Sequence, residues 1–196
     1  MVKFAMILSG RIANYYRKNE LLDEETIQKM EYTIKSFINE FSKFLMLFLI
    51  FLFLDKHIHF LWCYFAFVSL RLFSGGIHCN TYWSCFAVSL FSFLIFIFVP
   101  ELINLNSKIL FQSVALSVIS PLVFSPVLPK VRKIKKRKII VLLKTFSVII
   151  TMMWIVLCYY VIDGKYINSI LIALLLGNIQ LIFPVIMDKR RKERRI

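Results

Sequence analysis

The fold is decided by the stretch IIVLLKTFSVIITMMWIVLCYYVI, which runs from Ile139 to Ile162 and contains one charged residue, Lys144. A helix of about 20 predominantly apolar residues is long enough to cross the hydrocarbon core of a bilayer. Backbone polar groups cannot be left unpaired in that core, and an α-helix pairs them within the segment. The stretch therefore predicts a transmembrane helix.

Further apolar stretches predict that the chain crosses the membrane about six times. Its 196 residues are 59% hydrophobic and their mean hydropathy is +0.74, whereas soluble domains are roughly 45–50% apolar. The first two spans are of marginal length and could instead form a hairpin that enters the bilayer without crossing it. Lys43, inside the first span, would extend its side chain to an interface. The sequence thus predicts an all-α polytopic membrane protein with the spans Ile38–Leu54, Ile58–Phe73, Tyr82–Val99, Ile109–Leu128, Ile139–Ile162 and Tyr166–Met187.

The region before the first span predicts amphipathic helices. From Met1 to Lys18, apolar residues recur at helical spacing, which is typical both of a helix in the membrane interface and of a helix packed on protein. Leu21–Asn39 indicates a second surface helix that leads into the membrane. The predicted regions are amphipathic helices at 1–37, a six-helix transmembrane domain at 38–187 and a basic tail at 188–196. No cleavable signal peptide is predicted, because the apolar stretch near the start is too short.

The net charge of +14 arises largely from two basic runs beside apolar spans. In a soluble protein such runs would indicate nucleic-acid binding, but here they indicate membrane topology and attraction to anionic lipid. Because basic segments remain in the cytoplasm, both termini and the loops Ser74–Thr81 and Pro129–Lys138 are predicted to be cytoplasmic. The placement of the Ser74–Thr81 loop survives if the first two spans both fail to cross, and it inverts if only one of them fails. The runs are Lys130, Arg132, Lys133, Lys135, Lys136, Arg137 and Lys138, and Lys189, Arg190, Arg191, Lys192, Arg194 and Arg195.

One segment, RLFSGGIHCNTYWSC from Arg71 to Cys85, brings several reactive residue types together. The adjacent Gly75 and Gly76 break the helix between two spans, and glycine lets another backbone, such as that of a peptide substrate, approach closely. Arg71 could add positive potential to a site here, although an arginine at a helix end equally reaches lipid headgroups. Ionisable residues at membrane depth indicate a functional site.

His78 and Cys85 in this segment could act as a base and a nucleophile. On one straight helix they would lie about 10.5 Å apart along the axis, which is too far for proton transfer. A helix that begins after an N-cap at Asn80 or Thr81 would leave His78 free to fold back towards Cys85. The thiol needs such a partner, because a thiol with a pKa near 8.5 is mostly protonated at neutral pH.

The residues Arg71, Gly75, Gly76, His78 and Cys85 closely resemble the signature of the accessory gene regulator protein B family, membrane endopeptidases that mature quorum-sensing peptides. In that family the matching His and Cys are the catalytic pair, so the resemblance assigns this role to His78 and Cys85. Arg71, Gly75 and Gly76 would support them. The likeness extends along the chain to Ser125, Pro126, Val127, Gly177, Gln180 and Pro184.

The resemblance implies a multi-pass protein of the bacterial cell membrane whose active site faces the cytoplasm and uses no metal or cofactor. Its substrate would be a short precursor with an amphipathic leader, an internal Cys or Ser and an acidic C-terminal tail. Cys85 would form a thioester with the precursor, whose own side chain would then close a thiolactone or lactone ring. Besides this peptide the partners are membrane lipid and, in one arrangement, a second copy in a homodimer. The first basic run, Lys130 to Lys138, would either recruit the acidic tail or attract anionic lipid.

Two alternatives use the same residues differently. A metal site or metal transporter could draw ligands from His57, His59, His78, Cys79 and Cys85, although the predicted topology separates His57 and His59 from the others. A scaffold or small-solute transporter is the second alternative, for which Lys144 would be the charge inside the later spans. Cys79 is interpreted as a loop thiol without a catalytic part.

Overall fold

The computed structural model describes residues 2–19, 22–75, 81–102, 107–125 and 137–193, with side chains for 5–19, 22–75, 81–102, 112–123, 125 and 137–180. Within these ranges the chain forms helices and no strand. Their bounds are α1 Val2–Lys18, α2 Glu24–Phe53, α3 His57–Ser74, α4 Tyr82–Leu102, α5 Ser107–Phe124, α6 Arg137–Tyr160 and α7 Gly164–Glu193. The predicted all-α class is confirmed.

Three helices of the described chain, α2, α4 and α6, are long and apolar enough to cross a membrane by length and composition. The predicted span at Ile139–Ile162 corresponds to α6, shifted by two residues at each end. Shorter apolar sequence, Gln112–Val123, lies within α5. Three of the six predicted spans thus meet this criterion, and the others remain predictions.

The N-terminal region forms a helical hairpin of α1 and α2. Small residues spaced four apart on α1 face α2 and are fully buried: Ala5, Ser9 and Ala13. Arg17 closes the hairpin with two hydrogen bonds to the carboxylate of Glu24, at 2.7 and 3.0 Å. The residues of the expected second surface helix and of the first span form one continuous helix, α2, so no break separates the surface segment from the apolar segment.

Helix α3 lies at the centre of the bundle, and other helices pack against two opposite faces of it. On one side Phe60, Cys63 and Phe67 join buried residues of α2 and α4, including Phe51 and Phe93. On the other side α3 packs against α6 and α7 through Ala66, Leu70, Trp154, Cys158, Ile170 and Leu174. The predicted span in this region, Ile58–Phe73, is of marginal length, but the small and aromatic residues of α3 let four helices pack around it.

Helix α7 approaches α3 closely at a glycine, Gly177. A Cβ atom added at Gly177 would lie 3.0 Å from the Phe67 ring carbon Cδ2, which is tighter than an ordinary contact. Polar residues of α6 make further contacts within the bundle. Trp154 donates an indole N–H hydrogen bond to Ser69 Oγ at 2.8 Å, and the buried hydroxyls of Ser125 and Ser147 lie 3.0 Å apart.

Charged residues mark the end of the bundle where α2 leads into α3. Lys56 Nζ lies 2.6 Å from Glu101 Oε1 near the end of α4, and His59 Nε2 lies 3.8 Å from the same oxygen. His57 begins α3 at this end, whereas Ser74 ends α3 at the other. Because α4 begins shortly after Ser74, its first turn lies at the end of the bundle opposite the Lys56–Glu101 pair.

Candidate active site

Cys85 lies in the first turn of α4, where its helix is capped by Thr81. The backbone N–H of Ser84 donates to Thr81 Oγ1 at 3.2 Å, and the N–H of Cys85 donates to the Thr81 carbonyl at 3.1 Å. The sequence predicted a cap at Asn80 or Thr81, and Thr81 fulfils this role. Cys85 therefore lies at the end of α4 where the backbone N–H groups carry partial positive charge.

A lysine ammonium from α2 contacts the thiol directly. Lys43 Nζ lies 3.2 Å from Cys85 Sγ and also bonds the Glu40 carboxylate one turn earlier on α2. The Lys43 side chain is 6% exposed and that of Glu40 is 63% exposed, so the ammonium is enclosed between the thiol and an accessible carboxylate. Cys85 itself is half-buried, whereas Cys63 and Cys158 are buried.

Tyr82, the first residue of α4, holds this end of the helix against α2. Its hydroxyl lies 2.8 Å from Ser42 Oγ and 3.6 Å from Met46 Sδ. Ser42 precedes Lys43, and Tyr82 lies one turn before Cys85. The Ser42–Tyr82 and Lys43–Cys85 pairs are therefore adjacent contacts between α2 and α4. The way the two helices cross sets the distance between the Lys43 ammonium and the Cys85 sulfur.

A shallow cleft lies at the end of α3 beside α7. Its walls include Arg71, Ser74, Gly75, Gly177 and Gln180. Gly75 ends α3 with φ of 79°, a backbone conformation that glycine adopts without strain. The Arg71 guanidinium lies 5.4 Å from the centre of the Phe67 ring.

Gln180 links this cleft to α4. Its amide donates to Ser92 Oγ at 3.3 Å. Ser92 follows Cys85 by seven residues, so the two lie on nearly the same face of α4, about 10.5 Å apart along the axis. The cleft beside Arg71 therefore contacts, through Gln180 and Ser92, the same face of α4 that carries the Cys85 thiol.

The chain that carries this capped cysteine and its lysine contact is similar to known proteins. The family model described as accessory gene regulator B matches residues 9–183. The chain belongs to this family. A putative AgrB-like protein of Clostridium beijerinckii is 32% identical over 186 residues, which cover 93% of this chain and 89% of that protein. No solved structure matches the chain.

Membership of the accessory gene regulator B family supports a role in accessory gene regulation and agrees with the apolar helices α2, α4 and α6. The match covers α2 to α6 completely and the greater part of α1 and α7. The resemblance inferred from Arg71, Gly75, Gly76, His78 and Cys85 is confirmed at the level of the family.

Several predicted site residues lie outside the described residues: Gly76, His78, Lys130, Arg132, Lys133, Lys135 and Lys136. Cys79, which was interpreted as a loop thiol without a catalytic part, also lies outside them. The distance between His78 and Cys85 therefore stays a prediction. Arg137 and Lys138 begin α6 and are exposed. Cys63 and Cys158 are buried in the core. No group of three potential metal ligands occurs in the described part of the chain, and His57 and His59 lie at the opposite end of α3 from Cys85.

Lys43 and Glu40 are site residues that the sequence analysis did not identify. Lys43 was assigned only the task of extending to an interface, yet its ammonium lies against Cys85 Sγ. One feature of the sequence could have indicated that Lys43 belongs to the site. A Glu and a Lys three residues apart at the start of an apolar span form an intrahelical ion pair, and such a pair at membrane depth indicates a functional site.

Proposed function

We propose that this protein is a membrane cysteine endopeptidase that removes the C-terminal tail from a small autoinducing-peptide precursor. The observation that carries the proposal is the position of Cys85, half-buried in the first turn of α4 with a lysine ammonium 3.2 Å from its sulfur. Family membership supports the same role. Cys63 and Cys158 are enclosed by core residues and offer no comparable access.

The reaction requires one nucleophile and one proton donor. The Cys85 thiolate attacks the carbonyl carbon before the tail, a C–S bond forms and the C–N bond breaks. His78, which takes the thiol proton beforehand, returns a proton to the departing amine of the tail. The leader and signal segment stay on Cys85 as a thioester. A Cys or Ser side chain of the precursor then attacks this thioester, which closes the ring and frees the Cys85 sulfur.

The proposed location is the bacterial cell membrane, with six crossings and both termini in the cytoplasm. The distribution of Lys and Arg supports this orientation, because every strongly basic segment then remains inside. Cys85 lies at the opposite end of the bundle from the Lys56–Glu101 pair, so the same orientation puts the thiol at the cytoplasmic face. A precursor made in the cytoplasm reaches it without crossing the membrane.

The basic run from Lys130 to Lys138 is proposed to recruit the acidic tail of the precursor. Seven positive charges in nine residues exceed what orientation requires. Opposite charges attract the tail over about 10 Å at moderate salt. Arg137 and Lys138, the described members of the run, are exposed at the start of α6, where they can meet a partner. Attraction to anionic lipid is the competing role of the same charges.

Site-directed variants, expressed together with a small precursor peptide that has an acidic C-terminal tail, test the proposal. Cys85→Ala and His78→Ala should each abolish cleavage without loss of membrane insertion, and Cys85→Ser should be nearly inactive because a hydroxyl stays protonated. Cys79→Ala is the matched control, which should retain full activity. Mass spectrometry of the precursor reads the outcome. Full processing by Cys85→Ala would disprove the proposal, and loss of processing only in Cys79→Ala would identify a different nucleophile.

A further inference from the structure

The Lys43 ammonium and the Cys85 sulfur face each other across the crossing of α2 and α4, 42 residues apart in sequence. An ammonium has three donors and no acceptor, so it interacts favourably with a thiolate and gains less from a neutral thiol. Burial strengthens this preference, because a low dielectric increases the attraction between opposite charges. With 6% exposure, the Lys43 side chain has little water to screen its charge.

The partner of Lys43 on its own helix explains how the charge is kept in place. An unpaired buried ammonium is costly, and pairing with a carboxylate compensates much of that cost. Glu40 provides this carboxylate from the preceding turn of α2. Because Glu40 is mostly exposed, water screens its own repulsion of the sulfur, and the ammonium lies between the two.

We infer that Lys43 is a positioning residue that holds the sulfur of Cys85 at the α2–α4 crossing and stabilises its thiolate form, with Glu40 fixing the ammonium. This inference rests on the proposed function, in which that sulfur is the nucleophile. It adds a second source of positive charge to a reaction in which His78 moves the proton. Lys43 keeps its proton throughout and takes no part in bond making.

The surroundings of the thiol contain few other titratable groups in the described chain. Glu40 and Lys43 approach from α2, Tyr64 of α3 interacts electrostatically with Glu40, and Tyr82 lies one turn before Cys85 on α4. Tyr82 shares its hydroxyl with Ser42, and Tyr64 packs its ring against Phe44. Lys43 is therefore the cationic side chain that the described residues bring into contact with the sulfur.

The test measures the thiol itself and needs no peptide. The full-length protein, reconstituted in lipid nanodiscs, is alkylated with iodoacetamide across a range of pH, and mass spectrometry quantifies modification at Cys85. In Lys43→Met the rate at neutral pH should fall about tenfold because the ammonium no longer attracts the thiolate, while the limiting rate at high pH stays unchanged. Lys43→Arg should restore most of the neutral-pH rate. Lys29 is an exposed lysine fourteen residues (29 to 43), or about four turns, earlier on α2. Lys29→Met is the matched control and should react at the same rate as the protein without substitutions.

Either of two results overturns the inference. An unchanged rate profile in Lys43→Met shows that the charge does not act on the sulfur, and an equally lowered rate at all pH values shows altered access only. Lys43→Gln keeps a hydrogen-bond donor without the charge and is measured in parallel. If Lys43→Met folds poorly, the rate profile of Lys43→Gln decides whether the charge acts on the sulfur. Failure of the proposed function is separable, because Cys85 can show the Lys43 dependence in a protein that cleaves no precursor.

Discussion

The hydroxyl of Tyr82 lies 2.8 Å from the hydroxyl of Ser42, and this contact fixes the first residue of α4 against α2. Both residues are immediate neighbours of the site, since Ser42 precedes Lys43 and Tyr82 lies one turn before Cys85. The hydrogen bond therefore controls the helix crossing at which the ammonium meets the sulfur, although neither hydroxyl takes part in the proposed reaction.

Removing the Tyr82 hydroxyl should weaken cleavage without abolishing it. Tyr82→Phe keeps the ring but loses a hydrogen bond worth about 1 kcal/mol, so we expect roughly a fivefold lower rate of precursor cleavage. Tyr159→Phe is the matched control, because Tyr159 is 81% exposed, and it should cleave at the normal rate. Single-turnover cleavage followed by mass spectrometry measures both. Equal rates in the two variants would mean that the Ser42–Tyr82 contact does not set the geometry of the site.

The same substitution should have opposite effects at two helical glycines. Gly177→Ala introduces a Cβ that would lie 3.0 Å from the Phe67 ring, and overpacking typically costs about 1–3 kcal/mol. A Cβ atom added at Gly10 would have no heavy atom within 4 Å, so Gly10→Ala should gain up to about 1 kcal/mol from the higher helix propensity of alanine. In mild detergent, Gly177→Ala should therefore unfold at a lower denaturant concentration than the protein without substitutions, and Gly10→Ala at a higher one. A stabilised Gly177→Ala would show that α3 and α7 can separate without cost.

The topology can be tested with single cysteines at exposed positions. A membrane-impermeant maleimide applied to intact cells should label Leu54→Cys and Asp163→Cys, which lie in turns between helices. Glu25→Cys and Lys138→Cys should react only after the cells are permeabilised. Ser74 is unsuitable for such an experiment because its side chain is 1% exposed. Labelling of Glu25→Cys from outside would contradict the proposed orientation, in which Cys85 lies at the cytoplasmic face.

The role of the first basic run can be separated from lipid attraction by charge reversal. Changing Lys135, Lys136 and Arg137 to Glu should lower cleavage of the acidic-tailed precursor at least tenfold, and a precursor with Lys in its tail should recover cleavage. The matched control reverses three charges of the C-terminal run, Lys189, Arg190 and Arg191, and should leave cleavage unchanged. If both reversals insert correctly and cleave the native precursor at the normal rate, the loop acts only in topology.

Hydropathy predicted where the helices lie but not which residues meet. The Ile58–Phe73 span differs from α3 by one residue at each end. The agreement is close because the bounds of an apolar segment depend on the residues of that segment alone. The cap at Thr81 was equally local. The contact between Lys43 and Cys85 depends on how α2 crosses α4, which is set by packing of residues such as Phe51 and Phe93. No pattern within either helix contains that information, so Lys43 was assigned to the interface alone.

The ion pair between Lys56 and Glu101 defines a polar level at one end of α4. Cys85 precedes Glu101 by sixteen residues (85 to 101), or about 24 Å along a helix, and the hydrocarbon core of a bilayer is about 30 Å thick. In a membrane whose outer boundary coincides with the ion pair, the sulfur lies a few ångströms inside the inner boundary. Under the proposed function, a precursor peptide therefore reaches the sulfur by moving within the plane of the inner leaflet. The frequency of encounters then depends on the two-dimensional density of peptide adsorbed on the leaflet. We expect additional lipid, which dilutes the adsorbed peptide, to slow cleavage even when the amount of peptide per volume of cytoplasm is constant.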